Sequence, residues 1–181
     1  MLINGSSLLL LLVFSFFTVN ESQSASGDLH YKVPSSWIAE ESSSSMRVGQ
    51  YKLPRVPGDS EDASLVLYYF GPGQGGSVQA NIERWVGQME QSESASATDK
   101  AKTETLTVNG LKLTHVTVDG TYVAETTPGS GTRLNKPDFR LRAAIAETPK
   151  GAYYVKFVGP RKTVEHWGQS FLEYLRSFEF K

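Results

Sequence analysis

The residues best placed by type and spacing to do chemistry lie between Leu65 and Met89, in LVLYYFGPGQGGSVQANIERWVGQM. Gly71-Pro72-Gly73-Gln74-Gly75-Gly76 matches G-x-G-x-x-G. An apolar run that reads as a buried strand precedes it, and Val78, Ile82, Trp85, Val86 and Met89 follow at helical spacing. Free backbone N–H groups at a helix N-terminus attract anions, which is the chemistry of a phosphate-binding loop. The rest of such a unit is missing. Tight hairpins join the next strands, whereas a dinucleotide-binding half needs a parallel crossover and an acidic residue ending its second strand. Asp99 has a suitable distance but falls in a polar linker, and Gly71 to Ser77 lacks the lysine of a P-loop. The expectation is a tight strand-to-helix turn capped by Ser77, with no nucleotide or other cofactor.

Other chemistry-bearing residues are dispersed. Asn81 and Arg84 lie on the helix after the glycine loop, and Arg84 points away from the apolar stripe, to a partner or to solvent. Trp85 and Trp167 sit on apolar stripes and read as core anchors. His30, His115 and His166 have no metal-site spacing, and the Glu61-Asp62 turn suits solvent. Gly129-Ser130-Gly131 is embedded in a loop and lacks the strand that a nucleophile elbow requires. Arg133 and Lys136 give that loop local positive charge. The interaction candidates are therefore Asn81, Arg84, Arg133 and Lys136, with no catalytic or metal set.

These residues need elements to hold them. Ala63 to Phe70 is apolar at almost every position, as in a strand covered on both faces. Lys102 to Val108, Leu111 to Val118 and Thr121 to Glu125 form a meander turned by Asn109-Gly110 and Asp119-Gly120. Thr126 to Asp138 is a long loop. Phe139 to Glu147 and Ala152 to Val158 make a hairpin around Pro149-Lys150-Gly151, with Tyr154, Lys156 and Val158 on one face and Tyr153, Val155 and Phe157 on the other. Thr163 reads as the N-cap of a four-turn helix striped by Val164, Trp167, Phe171, Leu175 and Phe178. Two amphipathic helices and doubly apolar strands predict an α+β fold, a mainly antiparallel sheet of six or seven strands with helices on both faces.

Residues 1–26 read as a signal peptide: an apolar core from Leu8 to Phe17, then a polar stretch with Ser24-Ala25-Ser26 as a small-x-small cleavage site. That core is far short of the roughly 20 residues that span a bilayer, so stable membrane insertion after cleavage is not expected. Residues 27–181 then form one domain. The chain has 18 basic and 19 acidic residues. One acid, Glu21, lies in the leader, so the remainder balances at 18 of each. Such neutrality argues against nucleic-acid steering. With no cysteine, stability rests on the core alone.

The order of elements, with FGPGQGGSVQANIERW, TVNGLKLTHVTVDGTYVA and FVGPRKTVEHWGQSFLEYLRSF, resembles a group of uncharacterised exported bacterial proteins similar in fold to the PsbP-like superfamily. The resemblance covers roughly Leu29 to Lys181. That superfamily includes an extrinsic protein of photosystem II and a nuclear Ran-binding factor; the resemblance implies an antiparallel sheet flanked by helices and an accessory or binding role, and it transfers no photosystem-docking or Ran-contacting residue. The leading functional expectation is a non-enzymatic secreted or periplasmic protein acting through contacts with a protein partner. A small-ligand carrier with a groove near Gly71 to Arg84 is the first alternative, and a hydrolase with a spatially assembled site is the second.

Overall fold

The computed structural model describes residues 29–91, 101–127 and 129–181. The expected signal peptide, most of the polar linker before Lys102, and Pro128 lie outside the described residues. In chain order the elements are β1 (Leu29–His30), β2 (Ile38–Ala39), β3 (Arg47–Leu53), β4 (Ala63–Tyr69), α1 (Val78–Val86), β5 (Met89–Glu90) and β6 (Lys102–Val108). They continue with β7 (Leu111–Tyr122), β8 (Lys136–Thr148), β9 (Gly151–Pro160), α2 (Arg161–His166), α3 (Gly168–Arg176) and β10 (Glu179–Phe180).

The chain is dominated by an eight-stranded sheet in the order β2-β3-β4-β9-β8-β7-β5, with β6 pairing on β7. Its ladders are antiparallel, and β1 pairs with β10 in a separate two-stranded ribbon. The mainly antiparallel expectation is met, with more strands than the six or seven inferred. The extra ones are two-residue pieces, too short to leave a periodic signal in sequence.

Alternate residues of a strand point to opposite faces, and the core divides accordingly. Leu65, Leu67, Leu113, Ala144, Tyr153, Val155 and Phe157 pack with Val164 of α2 and with Phe171, Tyr174 and Leu175 of α3. Residues of the other parity, Val116, Val118, Leu141, Ala143, Ile145 and Tyr154, pack with Ile82 and Trp85 of α1.

One turn expected from the sequence is met and five local expectations are corrected. Asn109-Gly110 is a hairpin turn with positive φ at both residues, 47° and 81°. Asp119-Gly120 is not a turn: β7 runs straight through it to Tyr122, with a register shift against β8 between Gly120 and Tyr122. Gly120 is required there because its φ is 155° and a Cβ would collide with the Glu90 carbonyl of β5. Met89 leaves the α1 stripe and opens β5, although it stays buried in the cluster with Ile82 and Trp85.

The expected C-terminal helix is broken at Trp167 into α2 and α3, and Phe178 lies beyond it. Thr163 is not its N-cap. Helix α2 starts after Pro160, and the buried Thr163 donates its hydroxyl to Asp59 Oδ2 at 2.6 Å. The same carboxylate oxygen accepts from the Thr163 backbone N–H at 2.8 Å, so the first turn is capped by a distant acid. The expected long loop from Thr126 is shorter: Arg133 bridges Glu125, and β8 begins at Lys136.

Candidate functional site

The turn expected between β4 and α1 is present, and its geometry explains its glycines. Ser77 accepts a hydrogen bond from the Ala80 N–H at 3.2 Å and caps α1. The Tyr154 hydroxyl, from β9, donates to the Gly76 carbonyl at 3.1 Å and lies 3.4 Å from the Gln74 carbonyl. Gly75 has a φ of 90°, and a Cβ there would come 2.6 Å from the Tyr154 hydroxyl oxygen. The loop therefore lies directly on an aromatic ring of the sheet, which only glycine allows.

Asn81 is 1% exposed and works from inside the helix. Its Nδ2 donates to the Gly75 carbonyl at 2.7 Å and to the Ser77 carbonyl at 2.9 Å. Its Oδ1 accepts from Arg84 Nη2. The residue read from sequence as an interaction candidate is thus a latch holding the glycine loop to α1 and steering Arg84.

Beneath this latch lies a cavity of about 220 Å³ lined by Tyr68, Phe70, Asn81, Arg84, Trp85, Gln88, Tyr154 and Lys156. Strand alternation brings Lys156 here, paired with Ala143 of β8 and Val66 of β4 in the sheet interior. Its Nζ donates to Gln88 Oε1 at 2.5 Å and to the Tyr122 hydroxyl at 3.0 Å, and it stands 5.1 Å from the centre of the Tyr122 ring. Burial, then the charge of Arg84, lowers the Lys156 ammonium to about 8. Burial, then Tyr68, pushes the Tyr122 phenol up to about 12, so this ring remains neutral beside the lysine. Among the described residues no carboxylate forms an ion pair with Lys156 or Arg84.

The walls are aromatic. Tyr68 and Phe70 stack at 5.9 Å, Phe70 meets Tyr154 edge to face at 5.4 Å, and Trp85 meets Tyr154 the same way at 6.5 Å. The lining thus combines two cations and two side-chain amides with four aromatic rings.

The two other predicted cations are spent within the chain. Arg133 Nε donates to the Val123 carbonyl at 2.8 Å, and its Nη1 lies 3.5 Å from Glu90 Oε1. Lys136 Nζ contacts both Glu61 oxygens, at 2.5 and 2.8 Å, so the Glu61 turn is not left to solvent. A larger cavity of about 510 Å³ lies along Lys136, Asp138 and Gly58 to Glu61. Its charges are already satisfied, Asp138 by Arg161 at 2.7 Å and Asp59 by Thr163. The smaller cavity is the stronger site because its cations lack acidic partners among the described residues.

The histidines do not converge. His115 is buried on the opposite face, where Arg142 Nε lies 3.4 Å from its Nε2. Burial, then Arg142, lowers the imidazole to about 4. Lys156, Gln88 and Tyr122 were missed as site residues in the sequence. The available signal was a lysine between Tyr154 and Val158 on a strand face otherwise reserved for apolar side chains.

No protein-family model and no curated protein matches the chain. The fold is similar to that of the cyanobacterial PsbP protein, CyanoP, of Synechocystis sp. PCC 6803, with 11% identity over 94% of this chain and 99% of that one and a TM-score of 0.47. It is also similar to PA94, a protein of unknown function from Pseudomonas aeruginosa, with 13% identity over 73% of this chain and 81% of that one and a TM-score of 0.45. Among the described residues no helix is long and apolar enough to cross a membrane.

Proposed function

We propose that this chain is an exported, non-enzymatic binding protein of PsbP-like architecture, with helices on both faces of its sheet, that carries a small ligand between α1 and the sheet. The observation behind the ligand reading is the 220 Å³ aromatic cavity onto which Arg84 and Lys156 open without an acidic partner among the described residues. A partly buried ammonium held by two neutral groups is costly, and structures retain such a group where something pairs with it. Export rests on the apolar leader and the small residues after it. The opposite parities of the two core clusters support the architecture.

The rival reading, action through protein contacts, loses the ready charge of Arg133 and Lys136 to Glu90 and Glu61. The test is native mass spectrometry of the protein isolated from an exporting bacterial host, with a thermal-shift screen of small organic compounds. Wild type should hold or be stabilised by a small molecule, and a Gln88→Trp variant that fills the cavity should not. Equal behaviour of the two proteins would remove the carrier reading and favour protein contacts.

A further inference from the structure

We propose that the cavity between α1 and the sheet is a site for a small planar monocarboxylate, its carboxylate held by Lys156 and Arg84 and its ring set among Tyr68, Phe70 and Trp85. This rests on the reading of that cavity as a ligand site and specifies the chemistry of the occupant.

Charge comes first. Of the three ammonium hydrogens of Lys156, Gln88 and Tyr122 take two, which leaves one. Arg84 commits one N–H to Asn81 Oδ1 and keeps the rest of its fork. Both groups line one cavity, and Arg84 is near enough to lower the ammonium's proton affinity. An incoming carboxylate supplies acceptors for these free donors and relieves the repulsion between the cations. A neutral ligand would leave that repulsion in place, and a cation would add to it.

Size and wall chemistry set the rest of the ligand. An apolar cavity of about 150 Å³ holds benzene. The 220 Å³ here therefore admits one ring with a carboxylate and excludes a dinucleotide. The rings that line it offer edges and faces to a planar body. The held Asn81–Arg84 contact keeps one half of the anion clamp in position before binding, which lowers the ordering cost.

The experiment is calorimetry, with Trp85 fluorescence alongside, using benzoate, its neutral counterpart benzamide, and inorganic phosphate as probes. Wild type should bind benzoate at one site at least tenfold more tightly than benzamide or phosphate. Lys156→Met and Arg84→Gln should each weaken benzoate about tenfold or more and leave benzamide within twofold. Arg84 is on an exposed helix face, so its variant keeps the test valid if Lys156→Met does not fold. Benzamide binding as tightly as benzoate would overturn the carboxylate assignment while leaving the ligand cavity standing. Phosphate binding more tightly than benzoate would replace the planar carboxylate by a free inorganic anion. No saturable binding of any probe, with Gln88→Trp indistinguishable from wild type in the compound screen, would overturn both this inference and the carrier reading.

Discussion

Replacing Asn81 by alanine tests whether the latch holds the glycine loop. The substitution removes the 2.7 Å bond to the Gly75 carbonyl, the 2.9 Å bond to the Ser77 carbonyl and the acceptor of Arg84. Ser77 O retains its helical bond from the Asn81 N–H at 3.2 Å, so its loss is partial. The Gly75 carbonyl loses its amide donor, which costs about 1 to 3 kcal/mol for a buried acceptor and falls in the lower half of that range at half-buried Gly75. The other two bonds add roughly 0.5 to 1 kcal/mol each, discounted at Arg84 for its exposure. The total is about 3 kcal/mol, or about 6 to 12 °C in Tm for a domain of this size. Urea unfolding followed by far-UV circular dichroism measures it. Asn81→Asp should be at least as damaging, because it presents a carboxylate to two carbonyl oxygens. A loss under about 0.5 kcal/mol for both variants would refute the latch and release the glycine loop from its assigned cause.

Trp85→Ala should cost about 3 to 5 kcal/mol, because Trp85 is 5% exposed within its cluster, and equilibrium unfolding reads the loss. Gly75→Ala should destabilise by about 1 to 3 kcal/mol, since the new methyl meets the Tyr154 ring at a positive φ; unchanged urea midpoints would refute that contact. For His115, the folded value near 4 lies below the ordinary 6.5, so the unfolded chain binds more protons between these limits and stability falls as pH drops from about 6.5 to about 4. His115→Asn should flatten that part of the stability profile. Replacing residues 127–131 with a short Gly-Ser turn should leave Tm nearly unchanged, whereas extending the cut through Asp138 removes the first residues of β8 and the Lys136–Glu61 pair and should lower it measurably.

The sequence by itself determined the local rules of this fold. Asn109-Gly110 favours positive φ at two successive residues and so imposes a turn wherever it stands. Ser77 before an amphipathic run caps a helix through contacts three residues away. The alternation in β9 already separates Tyr154, Lys156 and Val158 from Tyr153, Val155 and Phe157. Only the tertiary structure decided what those faces meet. Asp119-Gly120 has the letters of a turn, yet the β5 backbone packs against Gly120 and β8 continues the ladder, so the same glycine serves a straight strand. Thr163 looks like a local cap, but Asp59, 104 residues away in sequence, takes both of its donors. Lys136 reads as a free loop cation until Glu61 reaches it. Lys156 reads as one more strand lysine until the packing of α1 on the sheet brings Arg84, and Gln88 just beyond the helix, to the same cavity. Periodicity and turn chemistry act within a few residues, whereas the charge balance of a cavity depends on side chains from separate strands and a helix, and only the folded chain sets their distances.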